Sequence, residues 1–406
     1  ITNSNKNVMY DQMNIRLAHQ FFEESRITRD FNKTDREKRI EKVDAYSANL
    51  DFNKNIGKKN ELFYGVEAVQ NNVNSIAINE DVATELSTPG ATRYPQSTWA
   101  SYAAYLNAQI HFGKKVMMQM GTRYNMFQLD ADFDTTFYKF PFTNAKLSNA
   151  ATTGSIGLNY RPTEKWVLST NASTGFRSPN VDDVGKIFDS EPGAVVVPNP
   201  DLKAEYAYNI DVGIAKVFGS SVKVDATAFY TLLDNALVRR DYTLNGNDSI
   251  MYDNTLSQVQ AIQNAAVANV YGVQAGIEIK LNAGFSISSR YNYQLGEEEL
   301  DDGTTSPSRH AAPWFGVTRL TYAENKVSIQ FYTVYSGEKG FNNMPEGQKK
   351  KTYMYAIDKN GNPYSPAWYS LNFKAMYKVS DYFTVNAGLE NITDQRYRPY
   401  SSGIVA

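Results

Sequence analysis

The feature that most constrains this chain is a strict two-residue alternation sustained through long segments. Tyr46, Ala48, Leu50 and Phe52 share one phase against Ser47, Asn49, Asp51 and Asn53. Tyr102, Ala104, Leu106, Ala108, Ile110 and Phe112 oppose Ser101, Asn107, Gln109 and His111. The same pattern recurs through Val222–Tyr230, Val273–Leu281 and Tyr369–Val379. A strand sends successive side chains to opposite faces, so this periodicity predicts strands with one apolar and one polar face. No segment carries the i, i+3, i+4, i+7 spacing of an amphipathic helix. Many of these strands reach about ten residues, against a soluble norm of roughly five or six.

The connections alternate as strictly as the residues. Short turns are expected at 55–59, 112–115, 161–165, 218–221, 282–284, 323–326 and 380–381. Between them fall long, polar, irregular loops, near 30–39, 79–96, 132–149, 178–201, 234–263, 296–312 and 337–366. Short turn followed by long loop, over and over, means antiparallel hairpins with one tight rim and one elaborate rim. About fifteen strands are expected, and that asymmetry is the pattern of an outer-membrane barrel. A propeller would need four short strands per period and a recurring motif, and neither is present. Aromatics on the apolar phase, among them Phe52, Phe112, Tyr160, Trp166, Tyr230, Phe285, Tyr377 and Phe383, mostly flank the short turns. An interfacial girdle accounts for that placement, and cross-strand packing in a soluble sandwich is the alternative.

Composition narrows the function classes. With 41 basic and 43 acidic residues, bulk charge makes no case for nucleic acid. The absence of Cys excludes disulfides, thiolate metal sites and Cys nucleophiles. No apolar run approaches the roughly 20 residues of a membrane helix, which leaves a strand-built wall open. No phosphate loop, HExxH zinc site or GxSxG elbow occurs, so the expectation is a non-enzyme with no cofactor and no resident metal.

One connection departs from a generic linker. The stretch 176–205 reads FRSPNVDDVGKIFDSEPGAVVVPNPDLKAE, between two alternating runs. Pro179, Pro192, Pro198 and Pro200 cannot donate to a ladder, so the chain leaves the sheet here. The stretch resembles the FRAP…NPxLxPE region of TonB-dependent outer-membrane receptors, with Ser178 and Ala204 as mild departures. YGVQAGIE at 271–278 is similar to that family's GvE strand. NITDQRY at 391–397 is similar to its N-(L/I)-x-D-x-x-Y signature before the last strand.

The resemblance implies an all-β fold: a transmembrane antiparallel up-and-down barrel of about 22 strands, of which about 15 are visible here. It implies an incomplete barrel over residues 1–406, with the N-terminal plug domain, the first strands and the last strand outside this chain. The implied function is active, TonB-driven uptake of a scarce nutrient complex at the outer membrane of a Gram-negative bacterium, foremost a ferric siderophore or other iron chelate. Haem, cobalamin, oligosaccharide and peptide receptors share the scaffold. Implied partners are the inner-membrane TonB complex, acting through the absent plug, outer-membrane lipids and the ligand. A surface lipoprotein is compatible but unsupported.

Site residues follow in two sets. Phe176, Pro179, Asn199, Pro200, Glu205, Asn391, Asp394 and Tyr397 fall on the family's loop motifs. Arg177, Asp182, Asp183, Arg239, Arg240, Tyr242 and His310 are ligand-binding candidates on the long-loop side. Tyr138, Lys139, Lys349, Lys350 and Lys351 join the Arg239 group as groups able to receive an anionic chelate by charge-assisted bonds and stacking. For the motif residues, loop geometry is the competing and simpler reading. No His lies between Arg177 and Asn199, which argues against the haem-ligating arrangement of similar receptors. His111 is expected in the lumen beside a short turn and His19 at the membrane interface. Glu297, Glu298, Glu299, Asp301 and Asp302 read as a solvated acidic loop rather than a Ca²⁺ site. A passive porin, a soluble carbohydrate-binding β protein and an outer-membrane enzyme are the rival classes: the family motifs disfavour the first, detergent-free extraction would separate the second, and no catalytic constellation supports the third.

Overall fold

The computed structural model describes residues 2–4, 6–191, 193–252, 255–264, 267–300, 303–309 and 311–402. Its main feature is one antiparallel sheet of eighteen strands, three of them only two or three residues long. The fifteen long strands follow chain order, each paired with its predecessor. They are Gln12–Thr28, Asp35–Ile56, Asn60–Asp81, Gln96–Phe112, Val116–Asp132, Asn144–Tyr160, Trp166–Arg177 and Glu205–Phe218. Then come Val222–Asp234, Val267–Lys280, Phe285–Glu299, Phe315–Glu324, Val327–Ser336, Trp368–Lys378 and Thr384–Leu389. Among the described residues no pairing joins Gln12–Thr28 to Thr384–Leu389. No helix there is long and apolar enough to cross a membrane.

All seven short turns emerge at one rim and all the long connections at the other. Left-handed residues make the tight rim. Gly57, Gly113, Gly219 and Gly284 all have φ between 59° and 78°, where a side chain is strained. Asn325 takes the same role at φ 48°, a conformation Asn tolerates.

The two faces differ as the alternation predicts. On one, large apolar side chains stand in the open: Tyr102 is 43%, Leu106 45%, Val212 58% and Phe331 50% exposed. Nothing among the described residues covers them. From Tyr102 to Phe112, at about 3.4 Å per residue and a tilt of about 40°, this apolar surface is about 26 Å tall, close to the hydrocarbon thickness a barrel spans. Above it the same phase turns polar in a single register row, Asp44–Asn72–Thr98–Asp130–Lys146. The Thr98 hydroxyl donates to Asn72 Oδ1 at 3.3 Å and the Lys146 ammonium to Asp130 at 2.7 Å. His19, stacked on Tyr46 at 4.7 Å and bonded to Asp44 at 2.9 Å, sits at this boundary.

The opposite face carries charge. Arg16 bonds Asp51, Arg123 bonds Glu67, and Arg290 bonds both Asp225 and Glu278, all on this phase. His111 shares it beside a short turn, its amide donating to Asn60. Glycine spaces several of these contacts. Gly65 lies between Asp51 and Tyr105 in register, and the Tyr105 hydroxyl crosses it to reach Asp51. Gly276 lies likewise between Asp225 and Arg290. A Cβ at either glycine would collide with the crossing side chain.

The packed core is not between wall layers. It sits at the long-loop end, where Leu129, Ala131, Phe133 and Ala145 on the polar-face phase pack with Val184 and Leu202 of a loop. Three expectations change here. Segments read as loop at 35–39, 79–81, 144–149 and 296–299 are strand. Charged side chains continue the ladder beyond the apolar band, as where Arg36 and Lys38 both reach Glu80 across the second and third strands, and polarity there had looked like loop. Glu297, Glu298 and Glu299 thus belong to a strand rather than a solvated loop; Asp301 and Asp302 fall outside the described residues. Finally, the connections 178–204 and 235–266 are not irregular: they share a second sheet of five strands.

A loop-built mouth as the candidate functional site

The second sheet explains how two distant connections become one surface. Ala194–Val197 pairs in parallel with Thr255–Asn264, which in turn pairs antiparallel with Leu237–Asp241 and with Ser249–Tyr252. Val195, Val197, Val259 and Ala261 are fully buried, with Ile187, Leu244 and Tyr252 beside them. Short apolar runs among turn residues were the sequence signal for this sheet. Non-local pairing hid it, because neither connection holds enough strand to stand alone.

The motif residues at 176–205 pin this assembly. Asn180 caps a one-turn helix, Val181–Gly185, accepting from the Asp182 and Asp183 amides at 2.8 and 3.1 Å. Asp183 returns the favour to the Asn180 amide at 3.1 Å, closing a capping box. Arg177 then donates to both Asp183 oxygens at 2.7 and 2.8 Å and to Glu205 at 3.4 Å. Glu205 accepts the Leu237 amide, tying the first connection to the second. The Asn199 amide group donates to the Ile262 carbonyl at 2.8 Å while its own oxygen accepts from Asp201, next to Pro200. Pro179 and Pro198 are fully buried. Phe176 packs at 5.2 Å from both Phe127 and Tyr206.

A third connection locks on. The Tyr94 hydroxyl donates to Asp182 at 2.7 Å, Lys186 pairs with Asp182 at 2.9 Å, and the Ile187 amide reaches the Arg93 carbonyl. Gly185 is required here, since a Cβ would strike the Pro95 ring. Burial works to raise the Asp182 carboxyl, but the hydrogen bonds from Tyr94 and Lys186 outweigh it and hold the group below its ordinary 3.8.

The remaining candidates separate into distinct places. Arg239 and Arg240 lie on the Leu237–Asp241 strand, with Arg240 bonded to the Glu299 carbonyl, and Tyr242 packs into the buried cluster below. Tyr138 stacks on Tyr252 at 5.8 Å, and the Lys139 carbonyl accepts from Asn245, so the 133–143 connection joins the same canopy. Lys349, Lys350 and Lys351 lie in another connection, 337–367, where Lys349 pairs with Glu346 and caps the Phe341 ring. His310 falls outside the described residues.

The NITDQRY segment folds as a compact turn beside that connection. Asn391 and Asp394 both take φ of 50°. The Asn391 side chain bonds the Gln395 backbone in both directions at 3.0 and 3.1 Å, and the Asn391 backbone N–H donates to the side-chain oxygen of buried Asn372. Tyr397 stacks flat on Trp368 at 4.2 Å. Sequence reasoning passed over Lys339, which is only 6% exposed. Its ammonium donates to one carbonyl, that of Ala311, at 2.9 Å.

A family model described as TonB dependent receptor-like, beta-barrel matches residues 2–392. The chain is 24% identical over 331 residues to the hemoglobin-haptoglobin utilization protein B of Neisseria meningitidis, covering 74% of this chain and 39% of that one. It is 22% identical over 246 residues to the iron-regulated outer membrane virulence protein of Vibrio cholerae, covering 59% of this chain and 35% of the relative. Among solved structures, the copper transporter OprC superposes with a TM-score of 0.77 at 13% identity, covering 98% of this chain and 59% of that chain. The FrpB iron transporter from Neisseria meningitidis gives 0.66 at 13%, with 98% and 59% covered. These likenesses show the fold. The chain spans about two fifths of the length of the curated relatives it matches.

Proposed function

Because the chain belongs to the TonB-dependent receptor-like β-barrel family, we propose that it builds the wall and mouth of an outer-membrane receptor for active uptake of an iron chelate. The observation that carries this reading is the two-faced wall. An uncovered apolar band about 26 Å tall backs a charged interior face, the arrangement of a strand-built pore in lipid. The wall is a sector of a barrel of about 22 strands, with plug, first strands and last strand outside these residues. The unjoined first and last long strands support that reading. TonB of the inner membrane acts through the plug, and the loop canopy captures cargo. No covalent chemistry is required.

An anionic ferric siderophore suits the arginine and tyrosine surfaces of the mouth. A haem-bearing cargo is the second reading, supported by the likeness to the hemoglobin-haptoglobin utilization protein B of Neisseria meningitidis. The test is uptake of radiolabelled ferric chelate, and separately of haemin, by cells whose only such receptor is this one. Accumulation with an intact TonB complex and none without it is the expected result. Equal accumulation in both strains would identify a passive channel instead. Recovery in the outer-membrane fraction, extractable only with detergent, checks the location.

A further inference from the structure

A cavity of about 320 Å³ opens at the mouth between the 337–367 connection and the 391–398 turn. That is the lower end of the size range of small-molecule sites. Its walls combine flat rings with cations: Tyr355, Trp368 and Tyr397 supply the rings, Arg396 and Arg398 the charge. No carboxylate lines it among the described residues.

Buried donors with few acceptors lie in the wall of this cavity and behind it. Arg398 donates one guanidinium hydrogen to the Met354 carbonyl at 2.7 Å, but its Nε is buried with no partner among the described residues. The Tyr400 hydroxyl is also buried with none among the described residues, and its ring lies 6.2 Å from that of Tyr355. Lys339 stands one residue behind the wall, its backbone bonded both ways to Ser365, which lines the cavity. That ammonium faces the Tyr400 ring at 5.4 Å and, among the described residues, donates to the Ala311 carbonyl. Burial holds the Lys339 ammonium below its ordinary range. Two buried donors without partners among the described residues, beside a cavity walled by arginine, favour an acceptor supplied from outside.

We propose that this cavity binds a planar organic anion, an aromatic carboxylate being the class that matches stacked rings beside arginines. The ring of such a ligand lies against Trp368 or Tyr397, and its carboxylate accepts from Arg396 and Arg398. The inference deepens the receptor reading and rests on it for the cavity's access to cargo.

The experiment is titration of the detergent-solubilised protein with 2-naphthoate, followed by tryptophan fluorescence and calorimetry. The neutral 2-naphthamide and the non-planar cyclohexanecarboxylate are run alongside. Naphthoate is expected to saturate, with both comparison compounds at least about tenfold weaker. Trp368→Leu and Arg398→Gln are each expected to weaken naphthoate about tenfold. Arg398 also holds Met354, so Arg396→Gln, at an exposed wall position, provides the variant free of a folding role, with a loss of about threefold or more. No saturable naphthoate binding, equal affinity for the amide, or unchanged affinity in Arg396→Gln and Trp368→Leu overturns the proposal. None of these results bears on whether uptake requires TonB, so failure here is separable from failure of the receptor reading.

Discussion

Gly276 has a job that no rule about turns assigns it. It lies mid-strand, between Asp225 and Arg290, and its missing side chain is the gap through which the Arg290 guanidinium reaches Asp225 at 2.7 Å. Gly276→Val closes that gap. The expected outcome is loss of about 1–3 kcal/mol from overpacking and a stranded ion pair, read as a lower temperature of heat-induced unfolding in detergent. An unchanged unfolding temperature would show that Arg290 finds equal partners elsewhere. The strand itself was legible from the phase of Val273, Ala275 and Ile277. The bridge was not, because period-two reading tells which face a side chain takes and not how far it reaches across neighbours.

At the scale of elements, the 178–204 connection behaves as a latch of several short-range parts. Asn180→Ala removes one member of the capping box and is expected to cost about 1 kcal/mol locally, seen as faster protease nicking within 178–204 while the wall strands stay protected. Asp182 adds a pH dependence. Its folded-state value lies below the ordinary 3.8, so its contribution is fully present above that pH and is lost as pH falls through the depressed value. Nicking of the loop should therefore rise on acidification below about pH 4, and Asp182→Asn should flatten the profile; a profile identical in the variant would remove Asp182 from the latch. FRSP and NPDL could be read from the sequence as the ends of an excursion. That the two ends anchor a sheet shared with residues 237–264 could not, since the pairing of Val195 with Val259 spans distant chain with no local trace.

For the whole molecule, the decisive property is which solvent each face meets. Val212 is exposed on the apolar band, while Thr227, opposite Gly213, lies on the polar face. Val212→Arg is expected to destabilise folding into lipid vesicles by about 2–4 kcal/mol, and Thr227→Lys far less. Equal penalties would mean that the apolar face is not in hydrocarbon. On the proposed receptor reading, the polar row from Asp44 to Lys146 would mark the upper edge of the lipid, and the strands that continue above it would carry the mouth clear of the membrane.

The order of residues alone settled the all-β wall, its hairpin rhythm, the rim that holds the tight turns and the face that turns outward. Each of these is set by neighbours two residues apart or by a turn of a few residues, so the information is local. Tertiary structure alone decided that polar segments such as 35–39 remain strand, that two connections merge into a packed canopy, and that Lys339, Arg398 and Tyr400 gather donors beside one cavity. Those outcomes depend on contacts between parts of the chain far apart in sequence, whose register and burial exist only once the wall has brought their anchoring strands side by side.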